Sequence, residues 1–264
     1  MLKISNISKT FNPGTINEKK ALSGLSLHLA KGDFVTILGS NGAGKSTLFN
    51  AIAGTFPVDR GTITLDGENI TSLPDYKRSK FIGRMFQDPL KGTAPTMTIE
   101  ENLALAYMRA SSGTNPFSVI SKADRAEFRQ RLSQLGLGLE DRMGSPVGLL
   151  SGGQRQALTL LMATMVTPKL LLLDEHTAAL DPATADKVLA LTRQIVADHG
   201  ITCLMITHNI PSALSLGNRT IMMKDGSIVL ELGGAQREGL TPDELLRLFH
   251  QQGISNDRIE LSAE

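Results

Sequence analysis

The amino-acid sequence predicts an α/β fold with a mostly parallel sheet, an N-terminal antiparallel β region and an inserted helical region. Three observations predict it. Before residue 66, apolar residues alternate with polar ones, as in half-buried strands. Residues 98–165 instead carry the spacing of helices. From residue 170 onward, short apolar runs alternate with helical segments, which is the pattern of parallel strands joined by helices.

The N-terminal part of the chain supplies the first strands and one helix. Leucines at alternate positions of 25–29 predict a strand with one buried face, and the apolar run Phe34–Leu38 predicts a fully buried strand. A Gly-rich loop then leads to helical spacing over Lys45–Ala53. Gly61–Leu65 alternates again and ends at Asp66-Gly67, a hairpin-turn signal.

In the remainder of the chain, the spacing of apolar residues predicts helices between Gly- and Pro-rich connections such as 111–116, and then further strands. Predicted helices cover Glu100–Met108, Lys122–Leu135, Gln154–Met165, Ala183–Ala197, Pro211–Leu216 and Pro242–His250. Predicted strands cover Leu170–Leu173, Ile201–Thr207, Ile221–Met223 and Ser227–Leu230. We expect one domain over 1–264. Its parts are a core with its β subdomain (about 1–87 and 166–232), a helical subdomain (about 88–165) and a tail (about 233–264).

Composition and charge exclude several classes of protein. Lys and Arg number 27 against 26 Asp and Glu, so the net charge of +1 lacks the basic excess of a dedicated nucleic-acid binder. The single cysteine, Cys203, excludes an internal disulfide framework. The most apolar stretch, 157–173, is interrupted at Pro168 and is too short to cross a bilayer. We therefore expect a soluble polypeptide that a partner would hold at any membrane.

The first motif with chemical content is a Gly-rich loop between a buried strand and a helix, which matches the Walker A pattern. Its glycines let successive backbone N–H groups point at one phosphate, and the helix N-terminus adds a positive dipole end. Lys45 brings a charge to the β- and γ-phosphates, and Ser46 offers a hydroxyl to Mg²⁺. The predicted phosphate-binding residues are Gly39, Ser40, Asn41, Gly42, Ala43, Gly44, Lys45, Ser46 and Thr47.

A second motif places two acids at the end of a buried strand. The leucines at 170–173 are followed by Asp174 and Glu175, at the edge where open α/β sheets bind ligands. We expect Asp174 to hold Mg²⁺ through its water shell and Glu175 to polarise the attacking water. Because apolar strands that end in acids are common, this prediction depends on the phosphate-binding loop.

A third motif, Leu150-Ser151-Gly152-Gly153-Gln154, precedes a predicted helix. Small residues at a helix N-terminus form a second anion site, although a plain junction between loop and helix has the same composition. In this order, the five residues are rare by chance. The three motifs together resemble the nucleotide-binding subunit of an ABC transporter, over about residues 2–232, as its Walker A, signature and Walker B motifs.

Four further positions match that family one by one. Asp181 stands at its D-loop and Gln87 at its Q-loop. His208 stands at its switch histidine, although a capping histidine at a strand end is the alternative. Phe11 stands where the family has the aromatic residue that stacks on adenine, although an aromatic residue on an early strand is often part of the core.

The resemblance implies ATP and Mg²⁺ as cofactors and a head-to-tail homodimer that closes on ATP and opens after hydrolysis. The catalytic residues that it implies are Glu175, His208, Gln87 and Lys45. The metal ligands are Ser46, Gln87 and Asp174. Outside the Walker A loop, the nucleotide contacts are Phe11, Ser151, Gly152, Gly153, Gln154 and Asp181. Ser151 and Gly153 would contact the γ-phosphate across the dimer interface, and Asp181 would couple the two sites.

One departure from the family narrows the resemblance. The family usually has Pro-Thr after the catalytic glutamate, whereas this chain has His176-Thr177. The run 174–182 is similar to a subgroup of ATPases of tryptophan/tyrosine uptake systems. That subgroup implies an ATPase on the cytoplasmic face of the inner membrane, with transmembrane permease subunits as partners and an extracytoplasmic solute-binding protein as an indirect one. His176 is either neutral or acts on the attacking water.

Alternatives remain open at this point. A soluble ABC ATPase of iron–sulfur cluster assembly has one domain of similar length. ABC proteins that act on ribosomes usually carry two ATPase halves, and those of DNA repair need long coiled coils that this sequence lacks. A module that only binds nucleotide would lack Glu175 or His208. The basic run 77–80 predicts a solvated face, with a contact to a membrane surface or a partner as the alternative.

Overall fold

The computed structural model describes residues 1–110 and 120–253. The strands are β1 Leu2–Phe11, β2 Lys19–Leu29, β3 Phe34–Gly39, β4 Arg60–Leu65, β5 Glu68–Asn69, β6 Ile82–Met85, β7 Leu170–Asp174, β8 Thr202–Ile206, β9 Arg219–Lys224 and β10 Ser227–Gly233. The helices are α1 Lys45–Ala53, α2 Asp75–Arg78, α3 Ile99–Ala110, α4 Lys122–Ser133, α5 Gly152–Thr164, α6 Pro182–His199, α7 Ile210–Leu216 and α8 Pro242–Gln251. The predicted connection at 111–116 and the tail beyond residue 253 lie outside the described residues.

Packing divides the chain into two compact units. Residues 1–78 and the chain from residue 200 onward form the first unit, and residues 79–199 form the second. The predicted subdomain limits follow motifs rather than packing, and they stay predictions. In the described ranges, 1–110 and 120–253, no helix is long and apolar enough to cross a membrane.

The first unit begins with an antiparallel sheet in the order β2-β1-β4-β5. Ile4 of β1 pairs with Leu27 of β2 on one side and with Ile63 of β4 on the other. All three side chains are buried, because alternate residues of each strand face the core. The predicted N-terminal antiparallel region is confirmed.

The same unit contains a mixed group of strands in the order β10-β9-β3-β8. Strand β3 is parallel to both β8 and β9, whereas β10 forms an antiparallel hairpin with β9. Every residue of β3 is buried, which explains why its sequence is a continuous apolar run. Helix α8 buries Leu245 and Phe249 in a cluster with Leu38 and Ile210, which ties the end of the described chain to this unit.

The second unit contains the parallel pair β6 and β7 and the helices of the predicted helical region. Side chains from α3, α4 and α5, among them Leu103, Phe128 and Leu158, form its core. Helix α5 begins at Gly152 rather than at Gln154, because Ser151 caps it: its hydroxyl accepts from the backbone N of Gln154 at 3.3 Å. The other helix limits differ from the predicted ones by a few residues at most.

The basic run 77–80 is not uniformly solvated. Lys77 and Lys80 are exposed, as predicted, but Arg78 is only 2% exposed. Its guanidinium donates to the carbonyls of Ala51 and Ile52, both at 2.8 Å, near the end of α1. It also donates to Leu73 at 2.7 Å and Thr71 at 2.9 Å. The solvated-face prediction is wrong for Arg78, because its donors satisfy the carbonyls at the end of this helix.

Candidate active site

The Walker A loop connects β3 to α1 in the first unit. Gly44 precedes the first helical residue and has φ +98°, a left-handed conformation that favours glycine. A Cβ at Gly44 would lie 2.6 Å from the carbonyl oxygen of Ala21, so the loop leaves no room for a side chain there. Helix α1 has no side-chain cap and no acid in its first turn. Its N-terminal N–H groups and its dipole therefore favour an anion.

Lys45 points back over the loop that precedes it. The residue is 6% exposed, and its ammonium donates to the carbonyl of Gly39 at 2.6 Å and of Ser40 at 3.0 Å. The loop thus brings together one full positive charge and a helix N-terminus that no side chain caps, which fits a phosphate group. The predicted residues Asn41, Gly42 and Ser46 are exposed on this loop, and Thr47 is half-buried.

Phe11 ends β1 in the same unit and is half-buried. It packs edge-to-face against Phe56, with ring centroids 5.3 Å apart and planes at 86°. The Lys9 ammonium lies 5.7 Å from the Phe11 centroid and 5.4 Å from that of Phe56. Phe56 and Lys9 were not predicted, and no spacing in the sequence indicates this contact.

His208 follows β8, also in the first unit, and is half-buried. The cap of the next helix is not His208. The Asn209 side chain accepts from the backbone N of Ser212 at 2.7 Å, and the Thr207 hydroxyl accepts from the backbone N of Asn209 at 3.1 Å. The N-cap of α7 is therefore Asn209.

The second unit delivers the two acids through β7, whose leucines 170–173 are fully buried. Asp174 ends the strand, and Glu175 follows with φ +45°, a left-handed conformation that is uncommon outside glycine. Arg84 of β6 lies close enough to interact with the charge of Asp174. Burial lowers the pKa of Arg84, and the negative charge of Asp174 partly opposes that shift. Arg84 was not predicted from the sequence.

Gln87 lies just beyond β6 and is exposed. The residue on each side of it, Phe86 and Asp88, makes a contact with a nearby residue. The Arg84 guanidinium stacks 4.5 Å from the ring centroid of Phe86, and the Asp88 carboxylate accepts from the backbone N of Leu90 at 2.9 Å. The predicted Q-loop residue is therefore presented to solvent in the second unit, between two fixed neighbours.

His176 follows Glu175 and is buried, with 1% of its surface exposed. Its Nε2 lies 3.2 Å from the hydroxyl oxygen of Thr192 on α6. Burial lowers the pKa of His176 to about 4, because the charged imidazolium would lose its hydration. The ring is therefore neutral at pH 7.

The signature loop and the D-loop meet in the second unit. A Cβ on Gly152 would lie 3.2 Å from a methyl group of Leu180, and a Cβ on Gly153 would clash with the side chain of Thr184. The Asp181 carboxylate accepts from the backbone N of Thr184 at 3.1 Å, and hydrogen bonds from Thr184 lower the pKa of Asp181. The glycines of the signature are thus needed for close packing.

The candidate residues are divided between the two units. The first unit holds Phe11, the loop 39–47 and His208, and the second holds Gln87, 151–154, 174–175 and Asp181. Residues 22–178 match the family model of the ABC transporter. The chain belongs to the ABC transporter family.

Two relatives of this ABC protein show how far the likeness extends. It is 44% identical over 254 residues to the tyrosine transport ATP-binding protein of Clostridioides difficile (strain R20291). The aligned region covers 94% of this chain and 98% of that protein. It is 35% identical over 247 residues to the methionine import ATP-binding protein MetN of Thermobifida fusca (strain YX). The aligned region covers 92% of this chain and 73% of that protein.

A solved structure agrees with the fold and with the chemistry. The dimeric structure of a post-hydrolysis state of an ATP-binding cassette, bound to ADP and Pi, matches with a TM-score of 0.77 and 29% identity. The match covers 91% of this chain and 100% of that one. The protein is therefore an ATPase with the ABC cassette fold, as the sequence predicted.

Proposed function

We propose that this cassette drives an ABC importer for a small solute, with an aromatic amino acid as the first candidate. The observation that carries the proposal is the 44% identity, over nearly the full length of both chains, to a tyrosine transport ATP-binding protein. The methionine import relative, at 35% identity, supports the wider class of amino-acid uptake. The subgroup likeness at 174–182 points the same way.

The cassette holds ATP through the first unit. Backbone N–H groups of the loop 39–47 and the N-terminus of α1 surround the phosphates, and Lys45 adds its charge. Phe11 stacks on the adenine ring. The packing of Phe11 against Phe56 supports this role, because it fixes the orientation of the Phe11 ring while Phe11 is only partly buried.

Mg²⁺ neutralises developing charge on the phosphates when it is bound. In the described parts of the chain, no cluster of three His, Cys, Asp or Glu side chains forms a protein-only metal site. Magnesium is usually bound through one or two carboxylates together with phosphate oxygens and water. The donor set fits that habit, with Ser46 at the start of α1, Asp174 at the end of β7, and Gln87.

Hydrolysis needs a group that holds the attacking water. Glu175 does this, and His208 and Lys45 stabilise the γ-phosphate charge, so most of the catalysis is positioning and electrostatics. Gln87 reports γ-phosphate occupancy to the helical region. The exposed Ser151 at the start of α5 contacts the γ-phosphate held by a second copy of the chain, with Gly152, Gly153 and Gln154 beside it, and Asp181 couples the two sites.

The partners follow from this cycle. Two copies close head-to-tail on ATP and open after hydrolysis, because the γ-phosphate contact exists only in the closed dimer. Permease subunits convert that motion into transport, and a solute-binding protein outside the membrane selects the substrate. The cassette is peripheral to the cytoplasmic face of the inner membrane and binds no nucleic acid.

The test is capture of the tagged full-length chain from detergent-solubilised membranes of its own host, followed by mass spectrometry. We expect a polytopic permease and a solute-binding protein. The binding protein is then titrated with tyrosine, tryptophan, phenylalanine and, as a control, leucine. Recovery of soluble partners alone would overturn the importer in favour of an assembly-type ATPase. A permease whose binding protein prefers leucine would overturn only the aromatic substrate.

A further inference from the structure

His176 joins the turn after β7 to the middle of α6. Thr192, its partner, is fully buried in this helix of 18 residues. The two residues are 16 positions apart, and their hydrogen bond is buried. The position that follows Glu175 is therefore anchored to a rigid element of the second unit.

The direction of this hydrogen bond follows from the partners of Thr192. The Thr192 hydroxyl donates to the carbonyl of Val188 at 2.8 Å. A hydroxyl has one proton, so toward His176 the Thr192 oxygen acts as the acceptor. His176 therefore carries its proton on Nε2 and donates it. Thr192 thus fixes both the tautomer and the orientation of the ring.

The backbone of Glu175 is strained, and it directly precedes the fixed side chain of His176. Its φ of +45° costs about 1–2 kcal/mol for a residue with a Cβ. Such a conformation persists only where the surroundings over-determine it. The backbone N of Ala178 donates to the Glu175 carbonyl at 3.0 Å, which closes the turn on one side. The buried side chain of His176 holds the same peptide, because the Glu175 carbonyl belongs to the bond that joins Glu175 to His176.

We propose that His176 is a positioning residue for ATP hydrolysis: its hydrogen bond to Thr192 holds the strained turn that aims the Glu175 carboxylate at the attacking water. The proposal rests on the proposed role of Glu175 as the group that activates water. It assigns a role to His176, which stands where the family that the chain resembles has the proline of Pro-Thr. A side-chain hydrogen bond here supplies the backbone restraint that a proline ring supplies through its fixed φ.

The test compares ATP hydrolysis by the full-length chain and by variants that remove one partner of the bond. Thr192→Val removes the acceptor with almost no change in shape, and His176→Met fills the site without a donor. We expect kcat to fall about tenfold in both variants while KM changes less than about twofold, because misplacement of a catalytic group affects the chemical step. The double variant is expected to be no slower than either single variant, since one interaction is lost in all three.

Conservative variants should restore the rate. In His176→Gln, the amide Nε2 stands the same number of bonds from Cβ as the ring Nε2 and donates in the same way. Thr192→Ser keeps the acceptor. Thr164→Val is the matched control, because the Thr164 hydroxyl makes the same kind of bond to Leu160, at 2.8 Å within α5, without a histidine partner. Its kcat should stay near that of the unchanged protein.

Two results would overturn the positioning role. One is an unchanged kcat in Thr192→Val and His176→Met. The other is a loss in Thr192→Val that Thr164→Val equals, with a lower melting temperature in both, which would show a purely structural effect. Glu175→Gln separates this from the proposed function. If Glu175→Gln hydrolyses ATP normally, the role of Glu175 is wrong. If it is inactive while Thr192→Val is normal, only the role of His176 is wrong.

Discussion

The phosphate-binding loop of the first unit and the acidic turn of the second unit are built in different ways. The loop consists of backbone and glycine, and its lysine bonds to carbonyls five and six residues away in the chain. The acidic turn depends on a side-chain contact between residues 176 and 192. A phosphate can be bound by any backbone that curls correctly, whereas a carboxylate that activates water must point in one direction. Phosphate binding therefore needs only residues that are close in the sequence, whereas the orientation of the carboxylate needs a contact with a residue elsewhere in the fold.

The largest expected effect is at Glu175, and it tests the acidic side of this comparison. Glu175→Gln keeps the shape of the side chain but cannot accept a proton from water. We expect hydrolysis to fall on the order of 10²–10⁴-fold, the usual contribution of a general base. Nucleotide binding and ATP-dependent dimerisation should persist. Turnover measured beside fluorescent-nucleotide binding checks this, and normal turnover would remove Glu175 from the mechanism.

A smaller effect, on the affinity for ATP rather than on the rate of hydrolysis, is expected at Lys45. Lys45→Ala removes the charge from the phosphate loop and frees the carbonyls of Gly39 and Ser40. Hydrogen bonds to charged groups contribute about 1.5–3 kcal/mol each, so affinity for ATP should fall by roughly 10- to 100-fold. Equilibrium titration with ATP measures the loss. Glu175→Gln is the control, because its affinity should stay intact; equal losses in both variants would erase the distinction between loop and turn.

The position of the loop between β3 and α1 was predictable from the sequence for a physical reason, and the anchor of the acidic turn was not. Gly44 and Lys45 belong to a continuous motif whose function depends on backbone conformation, so sequence spacing specifies it. The fold class was predictable for a similar reason, because the burial pattern of each strand is written into its alternation. Thr192 lies on a helix face with no motif, and its contact with His176 exists only after α6 packs. Arg84 and Phe56 were missed because tertiary contacts alone bring them to the site.

The helix that follows the phosphate-binding loop also depends on a residue distant in the sequence, Arg78. It caps α1, the helix whose N-terminus would hold phosphate, from 26 and 27 residues away. Arg78→Met should lower the free energy of unfolding by about 2–4 kcal/mol, because two buried and two partly buried carbonyls lose their donor. Lys77→Met, at an exposed position, should change it by less than about 0.5 kcal/mol. Urea denaturation compares the two variants, and equal stabilities would show that Arg78 is no cap.

The smallest expected effect is the pH dependence that His176 gives to stability. Its pKa is about 4 in the folded chain, against an ordinary histidine value of 6.5 that the unfolded chain would show. Between those values the unfolded chain binds the proton and the folded chain does not, so stability falls as pH drops from about 6.5 toward about 4. At pH 5.5 the loss should be about 1 kcal/mol relative to pH 7.5. Urea denaturation without nucleotide or Mg²⁺ measures it. His176→Gln should lose this part of the slope, and an identical slope in both proteins would place the titrating group elsewhere.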